Sequence, residues 1–332
     1  MGIRKNTIST GFVFEVIGSI DLCDGIKKEL LDSLGIHEEH LGNKISYISP
    51  TQFSRLIVSL SRYIDDELLG AGVDKLKCGN FMLMAKYVVR SENLSEVLEK
   101  MNEYYSAVSN SLIIEVKEDV DVEFAMHLKT KNDADFFVIK ILYLLVFHRF
   151  MGWLLGVEIK LNKFGLDFDR RSLSKECEIL FPCSVEYLSE ISFLSFSSEY
   201  LDCPVIRSVA DLDLYFKEIP LIWFIRQEYR KSISFRVHEL ILKDFSNEID
   251  MSFVASELGF SVRTLRRRLE MENTSFQQIK DGARLDLAVS LLTNHKNSIT
   301  EISCRLGFSD APSFSRAFKK WTGLSPYSFR LL

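Results

Sequence analysis

The chain is 332 residues long, enough for two or three domains with ordinary apolar cores. With 47% hydrophobic residues, 26% charged residues and six prolines, it is neither disordered, collagen-like nor in need of covalent staples. The net charge of −5 disfavours nucleic acid only as an average, because residues 231–332 carry +4 and residues 1–230 carry −9. That split reads as an acidic body bearing a basic binding module.

The six cysteines, Cys23, Cys78, Cys177, Cys183, Cys203 and Cys304, form no C-x-x-C pair and no Cys/His cluster at zinc spacing. They read as reduced core thiols, and neither a metal nor a cofactor is expected. The stretch after Arg4 and Lys5 is broken by Glu15 and Asp21, so no secretory core is expected, and Asn6 stands where myristoylation of Gly2 asks for Ser or Thr. The most apolar window, Phe136 to Trp153, contains Lys140, His148 and Arg149 and leaves only Ile141–Phe147 unbroken, too short for a bilayer. A cytoplasmic protein with no membrane partner is the expectation.

In chain order, a first helix is expected over Asp24–Leu34, ended by Gly35. A second is expected over Pro50–Asp66, where Ser49-Pro50-Thr51-Gln52 is a capping box and Phe53, Leu56, Ile57, Leu60 and Ile64 make a core stripe. Asn93-Leu94-Ser95-Glu96 repeats the capping logic ahead of Val97, Leu98 and Met101. The period then changes. Ile113–Val116 and Val122–Leu128 read as a hairpin across Glu118-Asp119, Phe136–Trp153 as a long helix, and Val157–Leu161, Cys183–Tyr187 and Ile191–Phe196 as strands, with no regular β-α-β alternation. The fold class expected for this part is α+β. From Pro220 the chain turns wholly helical, and Arg230-Lys231-Ser232-Ile233-Ser234 is the expected linker, which puts domains at 1–230 and 231–332.

A repeat dominates the second domain. Phe253-Val254-Ala255-Ser256-Glu257-Leu258-Gly259-Phe260-Ser261 recurs as Ile299-Thr300-Glu301-Ile302-Ser303-Cys304-Arg305-Leu306-Gly307-Phe308-Ser309, with Leu-Gly-Phe-Ser shared letter for letter. Each copy reads as a short helix with a corner glycine, Gly259 or Gly307, an aromatic plug, and a serine able to cap a following helix, hence two helix-turn-helix units. The second helices, Val262–Met271 and Ala311–Thr322, carry Arg263, Arg266, Arg267 and Arg268 in one and Arg316, Lys319 and Lys320 in the other. Their apolar residues, Leu265 and Leu269, then Phe314 and Phe318, recur at i, i+4 and leave the basic face free. Ser275–Asn294 reads as a long helix joining the units. A single basic run is usually a solvated face; two glycine-cornered copies of one design argue for recognition helices in successive major grooves about 34 Å apart.

The segment Ile302…Leu306-Gly307-Phe308-Ser309-Asp310…Phe314-Ser315-Arg316-Ala317-Phe318-Lys319-Lys320…Gly323-Leu324-Ser325-Pro326…Arg330 closely resembles the signature of the AraC/XylS transcription regulators. Cys304, where alanine is commoner nearby, and Pro312, early in a recognition helix, are small departures. Residues 12–215 resemble, more loosely, the ligand-binding domain of the subgroup typified by regulators of arginine and ornithine catabolism, through Leu180-Phe181-Pro182-Cys183-Ser184-Val185, Phe193–Phe196 and Leu201-Asp202-Cys203-Pro204. The resemblance implies an N-terminal sensor that dimerises, a small-molecule effector, double-stranded DNA as partner, and RNA polymerase if the protein is an activator. It implies base contacts from Arg263, Arg266, Arg267, Ala311, Pro312 and Arg316, arginine suiting guanine, and alanine or proline offering at most an apolar contact. Thr264, Arg268, Ser313, Lys319 and Lys320 are then the phosphate candidates.

No enzyme is expected. Gly70-Ala71-Gly72 lacks the third glycine of a dinucleotide fingerprint, there is no Walker A loop or nucleophile elbow, and His37-Glu38-Glu39-His40 has i, i+3 spacing unsuited to zinc and reads as a surface turn. A repair enzyme with the same helix pair would need a four-cysteine cluster the chain lacks. Tyr143, His148, Arg149 and Trp153 on the long helix are candidates for an effector pocket with an anion handle, against the plainer reading that such side chains sit in core or meet carbonyls. A constitutive regulator whose first domain only dimerises is the remaining alternative.

Overall fold

A computed structural model describes residues 8–34, 36, 47–48, 50–130, 136–169, 174–218, 221–224, 233–243, 249–272, 274–293, 297–322 and 325–330. Backbone contacts divide the chain into two units, Thr7–Lys27 with Glu39–Phe224, and Ile225–Leu332 with Met1–Asn6 and Lys28–Glu38. Gly35, the His37–His40 turn, the Ser49 cap, Gly323, Leu324 and the linker residues Arg230–Ser232 fall outside the described residues; Ile233 and Ser234, expected in that linker, already begin a helix.

In the N-terminal unit, β1 (Ile8–Ser9) pairs antiparallel with β2 (Tyr47–Ile48) and leads into α1 (Thr10–Gly18); α2 (Asp24–Ser33) comes next in the chain and is divided by the unit boundary after Lys27. Helix α1 had no polar face to announce it: Phe12, Val13, Val16 and Ile17 are buried and Ser9 caps it by accepting the Phe12 N–H at 3.2 Å. Helix α3 (Pro50–Ile64) buries Phe53, Leu56 and Leu60, with the Phe53 ring 5.8 Å from Phe12. Helices α4 (Asn80–Val88) and α5 (Leu94–Val108) follow. Asn93 caps α5 through the Glu96 N–H, but the Glu96 carboxylate takes the Glu92 N–H at 2.6 Å, so the reciprocal arm of the capping box reaches one residue further back.

The hairpin is β3 (Leu112–Glu118) and β4 (Asp121–Leu128), in register from Leu112 opposite Leu128 to Glu118 opposite Val122. It forms one edge of a five-stranded sheet of order β3-β4-β7-β5-β6, with β5 Leu161–Leu166, β6 Ser184–Tyr187 and β7 Ser192–Ser197. All neighbours are antiparallel except β5 and β6, which are parallel because α7 (Ser174–Leu180) carries the chain back between them. The strand expected at Val157–Leu161 is absent: pairing starts at Leu161. Before it, the Ile159 carbonyl accepts from His148 Nε2, while the Tyr200 hydroxyl donates to the Glu158 carbonyl and accepts from the Lys160 N–H, so side chains hold the groups a ladder would need.

Helix α6 (Phe137–Leu155) is buried on nearly every side and stops at Gly156, whose φ of +68° suits glycine and whose N–H caps Gly152 and Trp153. By length and composition it matches a bilayer span, yet 83% of its most apolar window lies inside the protein, the pattern of a core helix. Helices α8 (Val209–Glu218) and α9 (Leu221–Phe224) complete this unit, with Phe224 edge-on to Phe53 at 4.7 Å.

Between α3 and α4, two carboxylates organise the chain. Buried Asp66 accepts from the N–H groups of Leu68, Gly70 and Leu76, and Glu67 accepts from those of Gly79 and Phe81 at the start of α4. Burial pushes Glu67 up from 4.5 to about 7. The unfolded chain therefore releases this proton near pH 4.5 while the native state keeps it to about pH 7, so the contribution is full below 4.5 and fades as pH rises through 7. In urea unfolding, the stability of wild type relative to Glu67→Gln is expected to fall across that window; a flat difference would show Glu67 ionised throughout.

Candidate nucleic-acid interface

The C-terminal unit comprises α10 (Ile233–Lys243), α11 (Met251–Glu257), α12 (Val262–Met271), α13 (Phe276–Thr293), α14 (Ile299–Arg305), α15 (Ala311–Thr322) and α16 (Pro326–Arg330). It has two small cores. Val237, Ile241, Val254, Leu265 and Leu269 fill the first with Ile279 and Ala283; Ile302, Leu306, Phe314, Phe318 and Phe329 fill the second with Ala288 and Leu292. Helix α13 thus gives its first half to one core and its second half to the other.

The two corners are wired alike. Gly259 at φ +71° and Gly307 at φ +69° turn the chain, and the next N–H, of Phe260 or Phe308, reaches back to the carbonyl of Ala255 or Ser303 at 2.8 and 3.0 Å. This double closure uses the carbonyls left over at a helix end, and the left-handed φ is what makes glycine necessary there. Ser261 caps α12 by accepting the Thr264 N–H. Ser309, expected to do the same for α15, does not: that helix starts one residue later, Asp310 accepts the Ser313 N–H at 2.6 Å, and Ser309 donates to the other Asp310 oxygen. The Ser313 N–H holds the Asp310 carboxyl below its usual range, so the cap is ionised at neutral pH.

With Leu265 and Leu269 fully inward, Arg263, Arg266, Arg267 and Arg268 of α12 are exposed and Thr264 is half-buried, its hydroxyl 2.9 Å from that of Ser261. Arg268 lies with its guanidinium 4.3 Å from the Phe260 ring centre, which ties it to the corner. On α15, Phe314 and Phe318 are buried, Pro312, Arg316, Lys319 and Lys320 are exposed, and Ala311 and Ser313 are half-buried. Arg316 donates to Ser313 Oγ at 3.0 Å. Pro312 sits in the first turn, where a missing N–H breaks no helical bond.

Several supporting residues carried no motif. Arg284 of α13 donates from Nε to the Leu306 carbonyl (3.0 Å) and from a terminal nitrogen to the Gly307 carbonyl (3.2 Å), with its guanidinium 4.6 Å from the Phe308 ring centre. Lys280, one turn earlier, donates to the Ile249 carbonyl at 2.7 Å ahead of the first unit. The Glu272 carboxylate accepts the N–H groups of Ile233 and Ser234 at the start of α10. Long-range partners of this kind leave no periodic trace in a sequence.

The four candidate pocket residues sit on α6 at spacings that spread them around the helix. His148 is buried, bonded to the Ile159 carbonyl, and pushed by burial down to about 3, so it is neutral. Arg149 donates to the Leu180 carbonyl at 3.1 Å. The Tyr143 ring packs on Phe147, and Trp153 lies between Tyr215, at 4.3 Å, and the Arg207 guanidinium, at 5.3 Å. None of the four lines the cleft at the β3–β4 edge of this unit.

Among the described residues no group of His, Cys, Asp and Glu is arranged to hold a metal. Two compact units, each offering an exposed basic helix across a glycine corner, define a DNA-binding protein of the helix-turn-helix class. Residues 254–331 match the helix-turn-helix domain model, and residues 27–205 match the arabinose-binding domain of AraC transcription regulators. The chain belongs to the AraC family of transcription regulators, with the arabinose-binding type of N-terminal domain, and is a regulator rather than an enzyme. It is similar to the ornithine utilization regulator of Pseudomonas aeruginosa, 25% identical over 92% of this chain and 90% of that protein. The DNA-binding dual transcriptional regulator Rns of Escherichia coli is 38% identical over 32% of this chain and 41% of its own length. Among solved structures, the transcriptional regulator CdpR from Pseudomonas aeruginosa aligns over 94% of this chain and 99% of its own, with 21% identity and a TM-score of 0.34.

Two substitutions test the framework. Gly307→Val is expected to strain the corner by about 1–3 kcal/mol and to abolish specific DNA binding while the N-terminal unit stays folded, as read by gel shift and circular dichroism. Arg284→Met, which leaves two carbonyls without their donor, is expected to cost about 1–3 kcal/mol in urea unfolding.

Proposed function

We propose that the protein reads an operator with both recognition helices of one chain and that its N-terminal unit dimerises and senses a small molecule. The observation that carries the DNA reading is the division of each recognition helix into a buried apolar pair and an exposed basic face, in two copies. Arg263, Arg266, Arg267 and Arg316 stand where guanidinium groups reach guanine edges in the major groove, and Ala311 and Pro312 offer apolar contact with a thymine methyl. Thr264, Ser313, Lys319 and Lys320 fix register on phosphates, and Arg268, stacked on Phe260, joins them from the corner. The charge split, −9 against +4, confines attraction for DNA to the C-terminal unit. Work on DNA puts the protein in the cytoplasm, and an activating role would bring it against RNA polymerase. The likeness to a regulator of ornithine utilization supports control by a small metabolite.

Arg267→Ala and Arg316→Ala are each expected to weaken specific binding by about 1–3 kcal/mol and to relax sequence preference at separate positions. Lys319→Ala or Lys320→Ala is expected to weaken all sequences alike and reduce the salt slope by about 1. Weakened binding with undiminished preference would move either arginine to a phosphate.

A fragment from residue 232 is expected to bind DNA more weakly than the whole protein, because a tethered pair of modules raises avidity by about 10²–10⁴ on a two-site operator. Equal affinities at one salt concentration, with a monomeric mass by light scattering, would remove the dimer and leave the first unit as a damper on the second.

A further inference from the structure

An open cleft of about 500 Å³, within the size range of small-molecule sites, lies against the β3–β4 edge of the N-terminal unit. Leu128 contributes to its floor, and its charged lining comes from four different places in the chain. Glu115 and His127 project from the hairpin, Lys129 follows β4, Lys140 lies in the first turn of α6, and Asp167 follows β5.

These groups are arranged in opposed signs. Lys140 Nζ meets Asp167 Oδ2, with the two side chains only 18% and 24% exposed. The other Asp167 oxygen accepts from Ser192 Oγ at 2.7 Å, and Ser192 Oγ in turn accepts the Asp167 N–H at 3.2 Å, so this carboxylate is held in place from two sides. Across the cleft His127 Nε2 lies 3.0 Å from Glu115 Oε2, with Lys117 3.8 Å from the other oxygen. The bond from His127 keeps the Glu115 carboxyl below its usual range, so it is ionised at neutral pH. Lys129 makes no ion pair among the described residues.

Exposed and half-exposed ion pairs add little to stability, which leaves the gathering of two cations, two carboxylates and an imidazole in one concavity without a structural reason. Such a lining disfavours a ligand of single charge: a lone carboxylate on Lys129 adds an anion beside Glu115 and Asp167, and a lone ammonium on Glu115 adds a cation beside Lys129 and Lys140. A ligand bearing both signs meets no such penalty: its carboxylate takes Lys129 and the remaining donors of Lys140, and its ammonium takes Glu115. We propose that this cleft binds a small dipolar molecule carrying one carboxylate and one ammonium group, and that it is the effector site of the protein. The effector role rests on the reading of the N-terminal unit as a sensor; binding in the cleft does not.

The test is thermal unfolding of the full chain with the twenty L-amino acids, 5-aminopentanoate, pentanoate and pentylamine. At least one dipolar compound is expected to raise the melting temperature by about 2–4 °C, with pentanoate and pentylamine inert. Lys129→Glu, an exposed change, and Glu115→Gln, a half-exposed one that removes the charge facing the ligand ammonium, are each expected to remove the shift; their ligand-free melting curves report whether they fold. The proposal is overturned if no dipolar compound shifts the wild type, if pentanoate alone shifts it as far, or if the shift survives in both folded variants. Operator affinity separates the two readings. A dipolar ligand that binds through Lys129 and Glu115 without altering operator affinity supports the cleft and removes its regulatory role, whereas a response of operator affinity that survives both variants overturns the cleft and leaves the sensor standing.

Discussion

The DNA-binding half of the molecule depends on one helix being shared by two cores. Helix α13 places Ile279 and Ala283 in the first core and Ala288 and Leu292 in the second, so each helix-turn-helix unit packs its apolar side chains against the same helix. Because 1.5 Å of rise per residue is a fixed property of the helix, the offset between the two sets of buried side chains also sets the offset between the two recognition helices. The alanines matter here: small side chains let the units sit close on the helix, and larger ones would move a recognition helix bodily. Arg284 lies between the two sets and joins α13 to the second corner through two carbonyls and a ring.

Around that shared helix, apolar and charged surfaces are separated by periodicity alone. Placing Leu265 and Leu269, or Phe314 and Phe318, inward forces the arginines and lysines of the same helices outward. The corners then keep the start of each recognition helix clear, since glycine turns the chain in a single residue and a side-chain oxygen, from Ser261 or Asp310, satisfies the first N–H groups. The caps differ chemically. An ionised Asp310 at the start of α15 favours the helix but repels phosphate, and the positive charge of Arg316, further along the helix, partly offsets it.

The N-terminal unit solves a different problem. Its long helix α6 is apolar on nearly all faces, and two of its polar side chains are anchored by main-chain carbonyls, His148 through Nε2 by Ile159 and Arg149 by Leu180. That use of His148 and Arg149 holds the ends of β5 and α7 against the helix, which fixes the parallel β5–β6 pair on one side of the sheet. The charges that remain in opposed pairs face the other edge, beside β3 and β4.

How much of this could be read from the amino-acid order follows from the range of each interaction. Helix α12 and helix α15 have the bounds expected from the sequence, and both corner glycines take the positive φ expected of them, because periodicity, caps and glycine geometry act within a few residues. The hairpin was legible for the same reason, although its turn is Asp119-Val120 and Glu118, expected in the turn, still pairs with Val122. Helix α1 was not, since its exposed face carries the apolar Phe14 and leaves no amphipathic period, and the strand near residue 160 was misplaced because Tyr200 and His148, far along the chain or on another element, take its backbone groups. The same limit applies to function. The sequence by itself determined that two basic helices would stand on glycine corners; only the tertiary structure decided that Arg284 would brace one of them and that Glu115, Lys129, Lys140 and Asp167 would meet in a cleft, because those encounters are made by packing between elements and leave no spacing to read.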